Sequence, residues 1–163
     1  MSATAMSAEA SAFLQAMTAE AVAVQQFVSL LKLEQTSLSN GNIDNLPEFA
    51  EQKNKFSIHL SNIAAQRNTA LSAQGFAADR AGVEAWLAKY PEEQSARKAW
   101  QKILSLAADA REMNRLNGEL IQMRLQYISK ALEALHSGSK SLDLYGPDGQ
   151  STPSDKRRIY GAV

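Results

Sequence analysis

The sequence predicts an all-α protein: an elongated antiparallel helical hairpin or bundle with a long C-terminal helix and a flexible C-terminal tail. Three observations carry this. Apolar residues recur at alternating spacings of three and four from Ser7 to Ser39, and again for over forty residues after Pro91. Between the first and second periodic segments stands "SNGNIDNLPEF", a connection short enough to force an antiparallel hairpin. Four of the eight Gly and two of the four Pro lie from Ser137 onward, so the interiors of the periodic segments are almost free of helix breakers.

In the first helix, Leu14, Met17, Ala21, Val24, Val28, Leu31, Gln35 and Leu38 form one coiled-coil-like seam. Gly41 stops it, Asp44 is the expected N-cap of the second helix, and Pro47 belongs in that helix's first turn. Leu46, Phe49, Phe56, Leu60 and Ile63 repeat the spacing, while Lys53 and Arg67 interrupt the seam and are expected to snorkel outward on their long stems. Periodicity lapses over "LSAQGFAA" at 71–78; Asp79 then caps a short third helix carrying Val83, Trp86, Leu87 and Tyr90, and Pro91 ends it or opens the next. In the last helix Trp100, Ile103, Ala107, Ala110, Asn114, Asn117, Ile121, Ile128 and Leu135 trace one stripe.

That stripe passes straight through "NRLNGELI" at 114–121, where Asn117-Gly118 is a strong local turn signal. A turn would rotate the apolar positions out of register, and the register is kept. The segment is therefore expected to be helix interior, with Gly118 a place where another backbone can approach closely. A second stripe, Met113, Leu116, Leu120, Met123 and Tyr127, lies beside the first. Either it packs on the short Trp86 helix or a partner covers it, and its two Met suit a surface that repacks around apolar ligands. The organisation expected is a helical domain over 1–136 and a flexible tail over 137–163.

Composition narrows function. Seventeen basic and seventeen acidic residues cancel, which gives no general attraction to nucleic acid or anionic membrane. The tail cluster "DKRR" at 155–158 reads as solvated, with only Tyr160 near it to stack on a base. The absence of Cys removes disulfides and thiolate chemistry and fits a reducing compartment. The first thirteen residues have no positive n-region, and no apolar run approaches the ~18 residues needed to span a bilayer; a cytoplasmic location without membrane insertion is the expectation. Glu133 and His136 form one Glu-x-x-His, but a di-iron bundle needs two, and His59 stands alone. No phosphate-binding loop, dinucleotide fingerprint or nucleophile elbow occurs. No enzyme, no metal and no cofactor are expected.

The residues "NRLNGELI", "LEAL" and, after a gap, "LYGPDGQ" at 144–150 resemble the C-terminal half of the FlgN-type flagellar export chaperones; "EQTSLSNGNIDNL", Lys53 and "AAQR" at 64–67 resemble that family's first hairpin. The resemblance covers residues 30–67 and 100–150. It implies a cytoplasmic type III export chaperone that binds the C-terminal segments of hook-filament junction proteins and delivers them to the cytoplasmic domain of the export gate. It also implies a substrate-binding helix containing Asn114, Asn117, Gly118, Ile121 and Leu125, and a gate-docking tyrosine at Tyr145. Joined to the second stripe, the expected substrate surface is Met113, Asn114, Leu116, Asn117, Gly118, Leu120, Ile121, Met123 and Leu125, on a protein that is a monomer or weak dimer when empty. The alternative is a structural coiled-coil or adaptor protein that uses its extra stripe for permanent self-association.

Overall fold

The structure, a computed structural model, describes residues 8–142 and the side chains of residues 8–138. Four helices follow in order: α1 Ala8–Ser39, α2 Leu46–Ala73, α3 Arg80–Lys89 and α4 Gln94–Leu142. No strand occurs among the described residues. The chain divides into two compact units between Ile121 and Gln122, inside α4.

Local chemistry sets the helix ends. Gly41 takes φ 76°, which L side chains resist, and its N–H reaches Leu38 O at 3.0 Å to close α1. The N-cap of α2 is Asn45 and not Asp44: the Asp44 N–H is drawn to Asn42 Oδ1 at 3.1 Å, which places Asp44 inside the turn. Pro47 sits in the first turn of α2, as its fixed φ and missing N–H favour. α2 runs on to Ala73, past the point where apolar periodicity fades. Asp79 caps α3 by accepting from the Gly82 N–H at 2.9 Å. Pro91 lies between α3 and α4, which opens at Gln94. At the other end α4 continues through Ser137 and Gly138 to Leu142, six residues into the expected tail. Ser137 Oγ bonds Glu133 O at 2.8 Å instead of breaking the helix, and one Gly costs only ~1 kcal/mol. The remainder of the expected tail, from 143, lies outside the described residues.

In the first unit α1 and α2 are antiparallel, since Glu20 bonds Arg67 and Glu34 bonds Lys53. The α4 segment before Ile121 runs parallel to α1: Ala96, Trp100 and Ile103 pack with Ala10, Phe13 and Met17, and Ala110 packs with Val28 and Leu31. The α1 seam is buried at Met17, Ala21, Val24, Val28, Leu31 and Leu38. α3 closes the end where α1 begins. Its Trp86 stacks against Phe13 with centroids 4.5 Å apart and donates to Gln74 Oε1 at 2.9 Å. This puts α3 on the start of α4, not on Met113, Leu116 and Leu120, so the Trp86 helix does not cover the second stripe there.

The joint before α3 depends on a missing side chain. A Cβ on Gly82 would stand 1.7 Å from the Ala77 carbonyl oxygen. Gly82→Ala therefore forces the capping turn away from α3, and thermal melting should show a loss of about 1–3 kcal/mol or more. An unchanged melting temperature would show that the turn relaxes freely.

Candidate functional site

The "NRLNGELI" segment is unbroken helix, because tertiary bonds hold its turn-forming residues. Asn117 is 0% exposed; its Nδ2 donates to Leu31 O and to Glu34 Oε2, both at 2.9 Å. Its amide is therefore committed to α1 rather than offered on the surface. Gly118 is exposed, and a Cβ there would meet nothing within 4 Å. Of the other expected surface residues in this unit, Met113 packs on the Val28, Leu31 and Ala110 cluster. Asn114 is exposed and accepts from Lys53 Nζ at 3.4 Å. Leu116, Leu120 and Ile121 are half-buried. Outward-facing Arg115 pairs with Glu112 at 2.7 Å and with Glu119, and its hydrogen bonds to Glu112, with its charge behind them, hold that carboxyl below the usual carboxylate range.

In the second unit the helix bears large exposed apolar side chains: Met123 at 63%, Leu125 at 56%, Tyr127 at 72%, Leu132 and Leu135. Leu125, Ile128, Leu132 and Leu135 step by three and four along one face. Leu132 was not among the expected surface residues, although its spacing from Leu125 and Leu135 marks it. Tyr145 lies outside the described residues.

Lys53 and Arg67 do not snorkel. Both turn inward to carboxylates on α1 that apolar patterning passes over. Arg67 Nη1 donates to both oxygens of Glu20 at 2.5 and 2.7 Å, its Nε donates to Asn68 Oδ1, and its guanidinium lies over the Trp100 ring at 5.4 Å. Lys53 Nζ meets Glu34 Oε1 at 2.8 Å, on a Glu34 that is 1% exposed. The physical reason is desolvation: a buried carboxylate must have a cation beside it. The two layers repeat at fourteen residues on each helix, Glu20 and Glu34 on α1, Arg67 and Lys53 on α2, Trp100 and Asn114 on α4. Fourteen residues are two heptads, which returns each position to the same face.

Burial pushes the Glu20 carboxyl above its usual range, with Arg67 pulling the other way. A carboxyl raised in the folded state favours the fold most when protonated. Its contribution is full below the unfolded pKa and is lost as pH rises through the folded one. Chemical denaturation should therefore show the parent gaining on Glu20→Gln as pH is lowered from neutral toward the ordinary carboxylate range. Arg67→Ala, which strands Glu20, should cost about 3–5 kcal/mol, while Glu20→Leu with Arg67→Met should restore most of that. A parent that instead gains on Glu20→Gln as pH rises would mean the ion pair outweighs burial.

His59 lies on a groove of about 880 Å³ between α1 and α2, whose lining includes Leu14, Val22 and Ile63 and no charged residue. His136 is exposed near the end of α4. Among the described residues no three His, Asp or Glu side chains come together as a metal-binding group. No described helix is long and apolar enough to cross a membrane.

No curated protein and no solved structure matches the chain. The model of one family, described as FlgN protein, matches residues 6–153, which takes in all four helices and the 144–150 motif. The chain belongs to the FlgN family of flagellar export chaperones.

Proposed function

We propose that the protein is a cytoplasmic chaperone that binds the C-terminal segments of hook-filament junction proteins through α4 and delivers them to the cytoplasmic domain of the export gate. The observation that carries this is the exposed apolar surface of α4 in the second unit, where Leu125, Leu132 and Leu135 step along one face with half-buried Ile128, and Met123 and Tyr127 stand exposed on another face. Soluble chains seldom leave so regular an apolar stripe without a partner. Within the first unit, Leu116, Gly118, Leu120 and Ile121 are proposed as substrate contacts in their own right, while Met113, Asn114 and Asn117 hold that part of α4 to α1 and α2. A segment that becomes helical on binding must offset about 2–5 kcal/mol of ordering, and each apolar side chain it buries returns about 1.5–3 kcal/mol. Two or three such contacts suffice, and a long stripe supplies them where a small pocket does not. The chemistry is binding, with no catalysis and no cofactor. A protein that used the stripe for permanent self-association would be a constitutive oligomer at micromolar concentration. The chaperone is a monomer or weak dimer that changes size when the junction segment is added.

Leu125→Asp should leave melting unchanged, because Leu125 is exposed, and should weaken binding of a junction-protein C-terminal peptide tenfold or more, corresponding to about 1.5–3 kcal/mol. Leu120→Asp should act in the same direction with a small loss of stability. Unchanged affinity in calorimetry for both variants would remove α4 as the binding element.

Gate docking is assigned to Tyr145 in "LYGPDGQ", where a ring and a hydroxyl on one side chain suit an interface anchor worth about 2 kcal/mol or more. Tyr145→Ala should keep helicity, melting and peptide affinity while losing pull-down by the cytoplasmic domain of the gate and secretion of the junction protein. A variant that docks like the parent, or melts several degrees lower, would make Tyr145 a packing residue.

A further inference from the structure

The two polar layers of the first unit are not equally built. Around Glu20 and Arg67 the core is large: twelve buried side chains, Phe13, Met17, Trp86 and Trp100 among them, cluster at that end. Around Glu34 and Lys53 the buried cluster is smaller, Val28, Leu31 and Ala110, with partly buried Phe27, Leu106 and Met113 against it and Leu38 buried one turn beyond Glu34. Each layer leaves one buried polar group unpaired, Trp100 Nε1 in the first and Asn117 Oδ1 in the second, and the second has far less apolar packing to offset it. Its cation is also wetter, with the Lys53 side chain 23% exposed against 11% for Arg67.

The sequence of α4 weakens the same place. Its seam runs Ala96, Trp100, Ile103, Ala107, Ala110, and the next two seam positions are Asn114 and Asn117, followed at once by Gly118. Asn and Gly are among the poorer helix formers, and neither Asn buries apolar surface. What holds this stretch down is the packing of Met113 on Val28, Leu31 and Ala110 and a short set of side-chain bonds, from Asn117 to Leu31 O and Glu34 and from Lys53 to Asn114.

We propose that residues 112–121 of α4 are a latch, which lifts off α1 and α2 and frays while α4 before it stays packed, with the Glu34, Lys53 and Asn117 layer as its catch. Lifting frees Met113, Leu116 and Leu120 and uncovers Val28 and Leu31 beneath, so that an amphipathic segment can take the place the latch vacates. This regulates the substrate surface and its functional meaning rests on the proposed function above; the latch itself does not.

Hydrogen exchange on the full chain tests it. Amides of 112–121 should exchange at least about tenfold faster than those of 98–108, because local opening sets the rate. Replacing the catch with an apolar layer, Glu34→Leu with Lys53→Met and Asn117→Leu, should slow exchange over 112–121 by about tenfold, leave 98–108 unchanged, and weaken binding of the junction-protein peptide by a similar factor. Should that triple variant fail to fold, Gly118→Ala, which places a Cβ in open space, should slow exchange over 112–121 by about fivefold. Equal protection of the two stretches in the parent overturns the latch, and a folded triple variant that is slowed over 112–121 yet binds like the parent overturns its role in substrate binding. If 112–121 opens as stated but the parent binds no junction peptide, the latch stands and the assigned substrate falls.

Discussion

The fold depends on a cost of solvation. Two carboxylates of α1, Glu20 and Glu34, lie inside the bundle, and water cannot neutralise them there. Each must face a cation, and only α2 supplies one at each level, so the register of the hairpin is fixed by charge as well as by apolar seams. Shifting α2 by a single helical step would carry both cations about 100° around their axis and strand both acids. α4 is tied into the same arrangement, since Trp100 covers one cation and Asn117 completes one acid. Such layers contribute little net stability and a great deal of specificity, as a polar position in a coiled-coil seam does.

Much of this was legible in the sequence, and what was not has identifiable causes. Spacing of three and four marked α1, α2 and α4, and Asp79 marked the start of α3, because periodicity and capping are local properties of a helix. Continuity through Asn117 and Gly118 was also legible, since a kept register outweighs one dipeptide. The inward turn of Lys53 and Arg67 was not: a seam interrupted by a cation looks the same whether the side chain leaves for water or meets a buried acid on another helix. Glu20 and Glu34 stood off the apolar seam and gave no signal of burial. The place of Trp86 against Phe13 was likewise a matter of how helices meet. For the candidate site, apolarity named the α4 stripe, but it could not separate Met113, which is packed, from Leu125, which is exposed.

Membership in the FlgN family gives the chain its class of work, and the geometry shows why a helical scaffold suits that work. A partner delivered for export must be held along its length and released intact, which favours shallow apolar contact over an enclosing cavity. On the function proposed above, α4 supplies contact of that kind. Its exposed leucines and methionine make no demand for one side-chain shape in the partner, and methionine adapts to several.

The fourteen-residue repeat of the polar layers also limits how such a chain can change in length over evolution. Between Glu20 and Glu34, between Lys53 and Arg67, and between Trp100 and Asn114, one inserted or deleted residue rotates everything beyond it off the shared face. Only a whole heptad, gained or lost in all three helices together, restores the pairing. A single-residue insertion or deletion within any of these three spans therefore breaks the pairing, whereas the turn around Gly41 lies outside all three. The distance between the two acids acts as a ruler cut into each helix.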